Sequence, residues 1–242
     1  IQSIVVKDKI VNTISVNDEA VLILNQTTFY GESGGQIGDT GIITPDDCIF
    51  EVTDTKKKLG LHLHYGKVKK GNMKNGDSVT LEINISKRNS LRSYHTATHL
   101  LHQSLRDTLG DHVTQKGSLV SYDRLRFDFS HHKQISKEEV DKIESIVDNK
   151  IAQNYPVWTQ SMKPEDAIKM GALALFGEKY GDEVRVIFIG ADKNDAYSIE
   201  LCGGTHVKQT GEIGKFKIIS NSSVAAGIRR IEAIRDTDVD EY

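Results

Sequence analysis

Two short segments of the chain carry side chains that bind metal ions. His95 and His99 are four residues apart, and on a helix this spacing places both imidazoles on one face, one turn apart. Farther along, Cys202 and His206 enclose a Gly-Gly pair, which lets the backbone turn tightly enough to bring both side chains to one centre. Three imidazoles and a thiolate suit zinc best. The two segments together therefore predict one zinc ion held by these four residues.

The number of ligands and the reaction stay open on the residues alone. His206 is expected either as the fourth ligand or as the residue that orients a water, because three protein ligands leave a catalytic position open and four close the site. Thr96 stands where a zinc protease carries its glutamate base. The signature of the zinc deaminases is also absent. These patterns disfavour both peptide hydrolysis and base deamination.

A glycine-rich segment, residues 30–41, has five glycines in twelve positions. It is no phosphate-binding loop, because G-x-x-x-x-G-K-[ST] is absent, and no helix pattern follows it as a dinucleotide fingerprint requires. Such glycines permit close approach of the backbone to a ligand, or a bulged hairpin. We expect this segment to lie over the metal pocket, with Thr28 and Gln36 as polar contacts to a substrate.

The metal-binding segments must be positioned by two units of an α+β fold. Residues 1–87 show short strand patterns separated by turn residues such as Asn75-Gly76, which is typical of a small β-barrel. Residues 88–237 mix strands and helices, which indicates a sheet-and-helix metal-binding domain. The predicted strands are residues 21–24, 50–53, 61–68, 79–85, 115–120, 125–129, 184–189, 197–201, 216–220 and 228–234.

Two helices are predicted in the second unit. The first runs from about residue 89 to 109, ends before Gly110, and carries both histidines of the first segment together with His102 in one polar stripe. We expect His102 to be hydrogen-bonded near the metal rather than a ligand. The second helix, about residues 136–154, opens with Ser136 and Glu139, which form a capping-box pattern.

Composition narrows the class of protein. A net charge of −3 in 242 residues disfavours a general nucleic-acid coat, although basic runs at residues 56–58, 67–70 and 229–230 allow a local patch. Two cysteines and no visible signal peptide predict a reducing cytoplasm. No apolar run approaches the roughly 20 residues of a membrane helix, so no membrane partner is expected. The start at Ile1 without a methionine suggests a piece of a longer protein.

Seven sequence blocks resemble the editing region of alanyl-tRNA synthetases, in that family's order and over almost the whole chain. They are residues 29–41 (FYGESGGQIGDTG), 95–102 (HTATHLLH), 115–120 (QKGSLV), 125–129 (LRFDF), 174–180 (ALFGEKY), 198–207 (SIELCGGTHV) and 226–233 (AGIRRIEA). Free-standing trans-editing deacylases and the editing domain of threonyl-tRNA synthetase share the histidine pair and the distal Cys-His pair. Tyr94, where asparagine is common, and Asn221, where glutamate is common, depart from the pattern, and neither is a metal position.

The resemblance implies a zinc-dependent deacylase that hydrolyses the ester of tRNA(Ala) wrongly charged with serine or glycine. The family's metal positions fall on the four residues of the two segments, and Gln115 matches a position that lines the pocket. We therefore expect Gln115 and His206 to be catalytic, and Thr28, Gln36 and Gln115 to bind substrate. The implied partners are the acceptor end of tRNA(Ala) and the remaining domains of a parent synthetase, where ATP and magnesium would bind.

An editing role has a physical reason of its own. A pocket made for alanine cannot exclude the smaller glycine and poorly rejects an added hydroxyl, so a second hydrolytic site is needed. Three alternatives stay open: a tRNA-binding module whose zinc is only structural, a free-standing trans-editing deacylase, and a metal-dependent hydrolase of small esters.

Overall fold

The structure is a computed structural model and describes residues 1–174 and 181–242, so most of the predicted block at 174–180 lies outside the described residues. Its mixture of sheets and helices confirms the predicted α+β class. The chain forms two compact units. Unit 1 comprises Ile1–Ser33 and Ile37–Arg88, and unit 2 comprises Gly34–Gln36 and Asn89–Tyr242.

Unit 1 is built on a seven-stranded antiparallel sheet. Its strands, with the separate β3–β8 ribbon, are β1 (Ser3–Val6), β2 (Lys9–Val11), β3 (Thr13–Ser15), β4 (Glu19–Ile23), β5 (Gly41–Thr44), β6 (Ile49–Lys58), β7 (Leu61–Lys70), β8 (Asn72–Lys74) and β9 (Thr80–Ile83). The strand order of the sheet is β2-β1-β4-β7-β6-β5-β9. Because β2 and β9 end this order and no pairing joins them within residues 1–88, the predicted closed barrel is not confirmed.

Alternating side chains form the core of unit 1. On β6, Phe50 and Val52 are buried while Glu51 between them is only partly so, as the two-residue period of a strand dictates. Cys48 is 3% exposed within this apolar cluster, so it packs as a small hydrophobic residue. The predicted turn at Asn75-Gly76 lies between β8 and β9, where Gly76 has a φ of +88° that few other residues adopt.

A buried ion pair also holds unit 1 together. Nε of Arg88 lies 2.9 and 3.0 Å from the two carboxylate oxygens of Asp39, and the Arg88 guanidinium also donates to the Thr28 carbonyl. We expect Arg88→Met to lower the free energy of unfolding by about 3–5 kcal/mol, because it leaves a buried carboxylate without its partner. Denaturant titration of the two proteins measures this difference.

The control is an exposed ion pair in the same unit. Lys69 lies 2.8 Å from Glu51, with the two side chains 51% and 47% exposed. Lys69→Met should cost less than about 1 kcal/mol, because solvent already screens this pair. Equal losses in the two variants would contradict a special role for the Arg88 pair.

In its described residues, unit 2 has two antiparallel sheets, ordered β10-β11-β16-β15 and β12-β13-β14. Its strands are β10 (Gln115–Val120), β11 (Leu125–Ser130), β12 (Val157–Met162), β13 (Val184–Gly190), β14 (Ala196–Leu201), β15 (Phe216–Ala225) and β16 (Ile228–Arg235). Its helices are α1 (Ile85–Leu109), whose first turn belongs to unit 1, α2 (Lys137–Ala152), α3 (Pro164–Lys169) and α4 (Thr237–Glu241), with a 3-10 turn at Thr210–Ile213.

Both predicted helices are confirmed with small shifts of their ends. α1 begins four residues earlier than predicted and ends before Gly110, whose φ is +115°. Ser136 and Glu139 form the predicted capping box at α2. The Ser136 hydroxyl accepts from the Glu139 backbone N–H, and the Glu139 carboxylate accepts from the Ser136 backbone N–H. Within the described ranges, no helix has the length and apolar character needed to span a membrane.

Candidate metal centre

Helix α1 supplies two of the predicted ligands. His95 and His99 lie on its buried face, with ring centroids 5.3 Å apart and the rings nearly perpendicular. The next histidine of the stripe, His102, packs its ring 5.0 Å from Phe127 of β11. This contact joins the histidine face of α1 to the four-stranded sheet, so the helix cannot rotate its imidazoles away without disrupting the core.

The segment that follows β14 supplies the other two predicted ligands, Cys202 and His206. Cys202 follows β14 directly, and its backbone N–H donates to the Arg185 carbonyl on β13 at 3.0 Å. The Arg185 guanidinium in turn donates to the Gly204 carbonyl. These two bonds fix the Cys202–His206 turn against the adjacent strand.

The four predicted ligands meet at one place. One ligand atom from each of His95, His99, Cys202 and His206 lies within 4.8 Å of the other three. Sγ of Cys202 is 3.4 Å from Nε2 of His95 and 3.4 Å from Nε2 of His206. Zinc bond lengths in a tetrahedron require about 3.5 Å between sulfur and nitrogen. The donor set and its spacing therefore fit a zinc-sized ion.

Thr96 aims the His206 ring. Its hydroxyl donates to the Arg92 carbonyl at 2.9 Å, so its single proton is used there. His206 Nδ1, 3.1 Å from the same oxygen, must then be the donor of that contact. The lone pair of His206 Nε2 is left to face Cys202. Sequence reasoning noted Thr96 only as a missing protease base and did not predict this contact.

Gln36 contacts the other side of the centre. The side chain is fully buried, and its Oε1 lies 2.7 Å from Nδ1 of His95. The same oxygen accepts from the backbone N–H of Thr205 at 2.9 Å. The structure thus places Gln36 of the glycine-rich segment beside a candidate ligand.

A buried carboxylate lies behind His99. Glu200 lies 3.1 Å from Nδ1 of His102 and 3.8 Å from Nε2 of His99. Burial raises the pKa of this carboxyl, but His99, His102 and Ser198 together lower it by more, so the pKa is lowered overall. Glu200 is therefore ionised at neutral pH and adds a negative charge beside the centre. The sequence signal was its position two residues before Cys202 on a strand, which sequence reasoning did not use.

Burial sets the protonation of the candidate ligands. Desolvation holds the pKa values of His95 and His206 well below the usual range and also lowers the pKa of His99, so all three rings are neutral at pH 7. Desolvation raises the pKa of the Cys202 thiol to about 12. Binding of an ion to the thiolate therefore releases a proton, so metal affinity rises with pH.

The buried neutral histidines predict an acid-sensitive metal-free chain. Their pKa values are lower in the folded than in the unfolded state, so the unfolded chain binds more protons below about pH 6.5. Stability should fall there by about 1.4 kcal/mol per pH unit for each such histidine. Unfolding of the chelator-treated chain between neutral pH and about pH 5 tests this. A slope that does not decrease in His206→Asn would contradict the assignment.

Two further residues, Gln115 and Thr28, were predicted to contact substrate. Gln115 begins β10 opposite Phe129 of β11, on the sheet face that Phe127 also shares. Thr28 belongs to unit 1. The substrate roles of both stay predictions. Tyr94 is buried and its hydroxyl contacts the Asp123 carbonyl and the Asp238 carboxylate, while the Asn221 amide donates to the Ile135 carbonyl.

Two family descriptions match parts of the chain. Residues 1–87 match the family described as tRNA synthetases class II (A). Residues 184–232, which include Cys202 and His206, match the family described as threonyl and alanyl tRNA synthetase second additional domain. The Cys-His half of the candidate centre therefore lies in a domain found in these synthetases.

Curated relatives match almost the whole chain. The alanine–tRNA ligase of Parvibaculum lavamentivorans is 57% identical over 229 residues, which cover 93% of this chain and 26% of the relative. The alanine–tRNA ligase of Mesorhizobium japonicum is 52% identical over 240 residues, 97% of this chain and 27% of the relative. That of Dichelobacter nodosus is 52% identical over 234 residues. The chain thus spans about a quarter of the length of these relatives.

Proposed function

This chain belongs to the alanine–tRNA ligase family, and we propose that it is a metal-dependent editing part, which hydrolyses the aminoacyl ester of tRNA(Ala) mischarged with serine or glycine. The metal we propose is zinc. In a complete ligase, segments outside this chain would attach alanine to tRNA(Ala) with ATP and magnesium.

The observation that carries the proposal is the convergence of His95 and His99 with Cys202 and His206 in a homologue of these ligases. Residues more than a hundred positions apart place four donor atoms around one point. No structural need of α1 explains two buried imidazoles at this point, because apolar side chains would pack there without loss of solvation.

A metal ion bound there would polarise the ester carbonyl and activate a water. The chain's own residues prepare the site for this chemistry. His95 and His99 are buried, whereas Cys202 and His206 are partly accessible, so we expect an ester to approach from the side of Cys202 and His206. His206 donates its Nδ1 proton to Thr96, so its Nε2 presents a lone pair towards Cys202 and the metal position. An ester is easier to hydrolyse than an amide, because its alcohol is the better leaving group. Positioning the ester carbonyl beside a water can therefore suffice without a protein nucleophile.

Selectivity against the alanyl ester must come from small differences in binding free energy between similar aminoacyl groups. We propose that Gln115 offers a hydrogen bond to the serine hydroxyl, which alanine cannot make, for a difference of about 1–3 kcal/mol in binding free energy. Glycine has no hydroxyl, so its acceptance would rest on a pocket too crowded for the methyl group of alanine.

Deacylation of Ser-, Gly- and Ala-tRNA(Ala) by the 242-residue chain tests the proposal. We expect hydrolysis of the first two and sparing of the third, with Gln115→Leu losing serine hydrolysis while metal is retained. Metal and tRNA binding without hydrolysis of any of the three would indicate a structural metal in a tRNA-binding module. Hydrolysis of a free seryl ester at the same rate as Ser-tRNA would indicate a small-ester hydrolase.

A further inference from the structure

We infer that Gln36 is a positioning residue for the metal centre: its side-chain oxygen holds His95 with the proton on Nδ1, so that Nε2 presents its lone pair to the ion. This inference rests on the proposed metal centre. Gln36 would thus orient a metal ligand, whereas the sequence led us to expect that it contacts substrate.

The direction of each hydrogen bond follows from a backbone donor. The Thr205 N–H can only donate, and it lies 2.9 Å from the Gln36 side-chain oxygen. That atom is therefore the carbonyl oxygen of the amide. An amide oxygen only accepts, so His95 Nδ1, at 2.7 Å, must carry the proton of the contact.

The consequence appears on the opposite side of the imidazole. A neutral ring has one protonated nitrogen, so His95 Nε2 is left with its lone pair. That nitrogen is the one 3.4 Å from Sγ of Cys202. Gln36 therefore selects the tautomer in which His95 can ligate, and it also orients the ring.

The backbone around Gln36 is fixed as firmly as its side chain. The Val120 N–H donates to the Gly35 carbonyl at 2.7 Å, and Gln36 pairs with Val120 as a short parallel bridge at β10. Gly35 has a φ of +84°, and a Cβ there would lie 2.7 Å from the Ser118 carbonyl oxygen. Glycine is thus required next to Gln36 because the segment runs against the edge of the sheet.

The Gln36 amide nitrogen completes the arrangement. It donates to the Thr205 hydroxyl at 2.9 Å. Thr205 thus contacts both ends of the amide and prevents it from flipping. The Cys202–His206 turn and the His95 ring are therefore both anchored to one buried side chain.

The tautomer can be measured without any metal. Nitrogen-15 NMR of the imidazoles in the chelator-treated 242-residue chain should show the His95 proton on Nδ1 at neutral pH, and Gln36→Leu should lose this preference. A proton on Nε2 in the parent would overturn the inference, even if the variant fails to fold.

Metal titration provides the second measurement. Gln36→Leu should bind zinc about 10- to 100-fold more weakly, which is the usual cost of losing a hydrogen bond to a ligating histidine. Gln36→Glu keeps an accepting oxygen at the same distance along the side chain, so its affinity and its cobalt absorption spectrum should return towards those of the parent. Equal affinity of the parent and Gln36→Leu overturns the inference. A parent that binds no metal overturns the proposed centre itself.

Discussion

Cys202→Ala is expected to lose most of its bound metal and, with it, the hydrolysis of Ser-tRNA(Ala). The thiolate is the one sulfur donor of the four candidate ligands, and it lies 3.4 Å from the ligand nitrogens of both His95 and His206. Removing it leaves three imidazoles and a cavity where the strongest zinc donor stood. Elemental analysis after dialysis, with deacylation assayed on the same sample, measures both losses.

The chain offers a matched control for this substitution. Cys48, the other cysteine, is buried in the apolar core of unit 1. Cys48→Ala should keep its metal and cost only about 1 kcal/mol of stability, because it removes a small apolar side chain. Full retention of tightly bound zinc in Cys202→Ala would refute the metal assignment. Loss of metal in both variants would point to a general failure of folding.

Gly204→Ala is the second substitution with a large expected effect. A Cβ at this position would lie 2.0 Å from Cε1 of His95 and 3.1 Å from Oε1 of Gln36. The imidazole would have to move, although Gln36 and the core of α1 hold it in place. We expect metal affinity to fall by at least about 100-fold, which is the largest loss usually seen when a residue that contacts a metal ligand is replaced.

The adjacent glycine provides the comparison. A Cβ on Gly203 would meet no described atom within 4 Å, and the residue is exposed. Gly203→Ala should therefore bind metal like the parent in the same zinc titration. Similar affinities for the two alanine variants would mean that His95 is free to move, which would contradict its fixed position between Gln36 and the core of α1.

The sequence by itself determined the elements whose signals are local. α1 ends at Leu109 because Gly110 takes a positive φ, and α2 begins where Ser136 and Glu139 form their capping box. The four-residue spacing of His95 and His99 put both rings on one face for the same reason: helix geometry depends only on neighbours in the chain. Residue types alone also suggested which metal such donors would prefer.

Tertiary structure decided everything that depends on partners distant in sequence. Whether the strands of unit 1 close is a matter of pairing between β2 and β9, which no local pattern encodes, and the expected closed barrel is not found there. The glycines around Gln36 suggested close packing, but only the fold shows that its partner is His95. The sequence does not show whether the Thr96 hydroxyl bonds only its own helix or also a distant side chain. In the fold it bonds both the Arg92 carbonyl and the His206 ring, because the Cys202–His206 turn brings that ring to it. The direction of a hydrogen bond at a side chain such as Gln36 or Thr96 depends on which donors and acceptors lie next to it. Only the folded chain determines these neighbours.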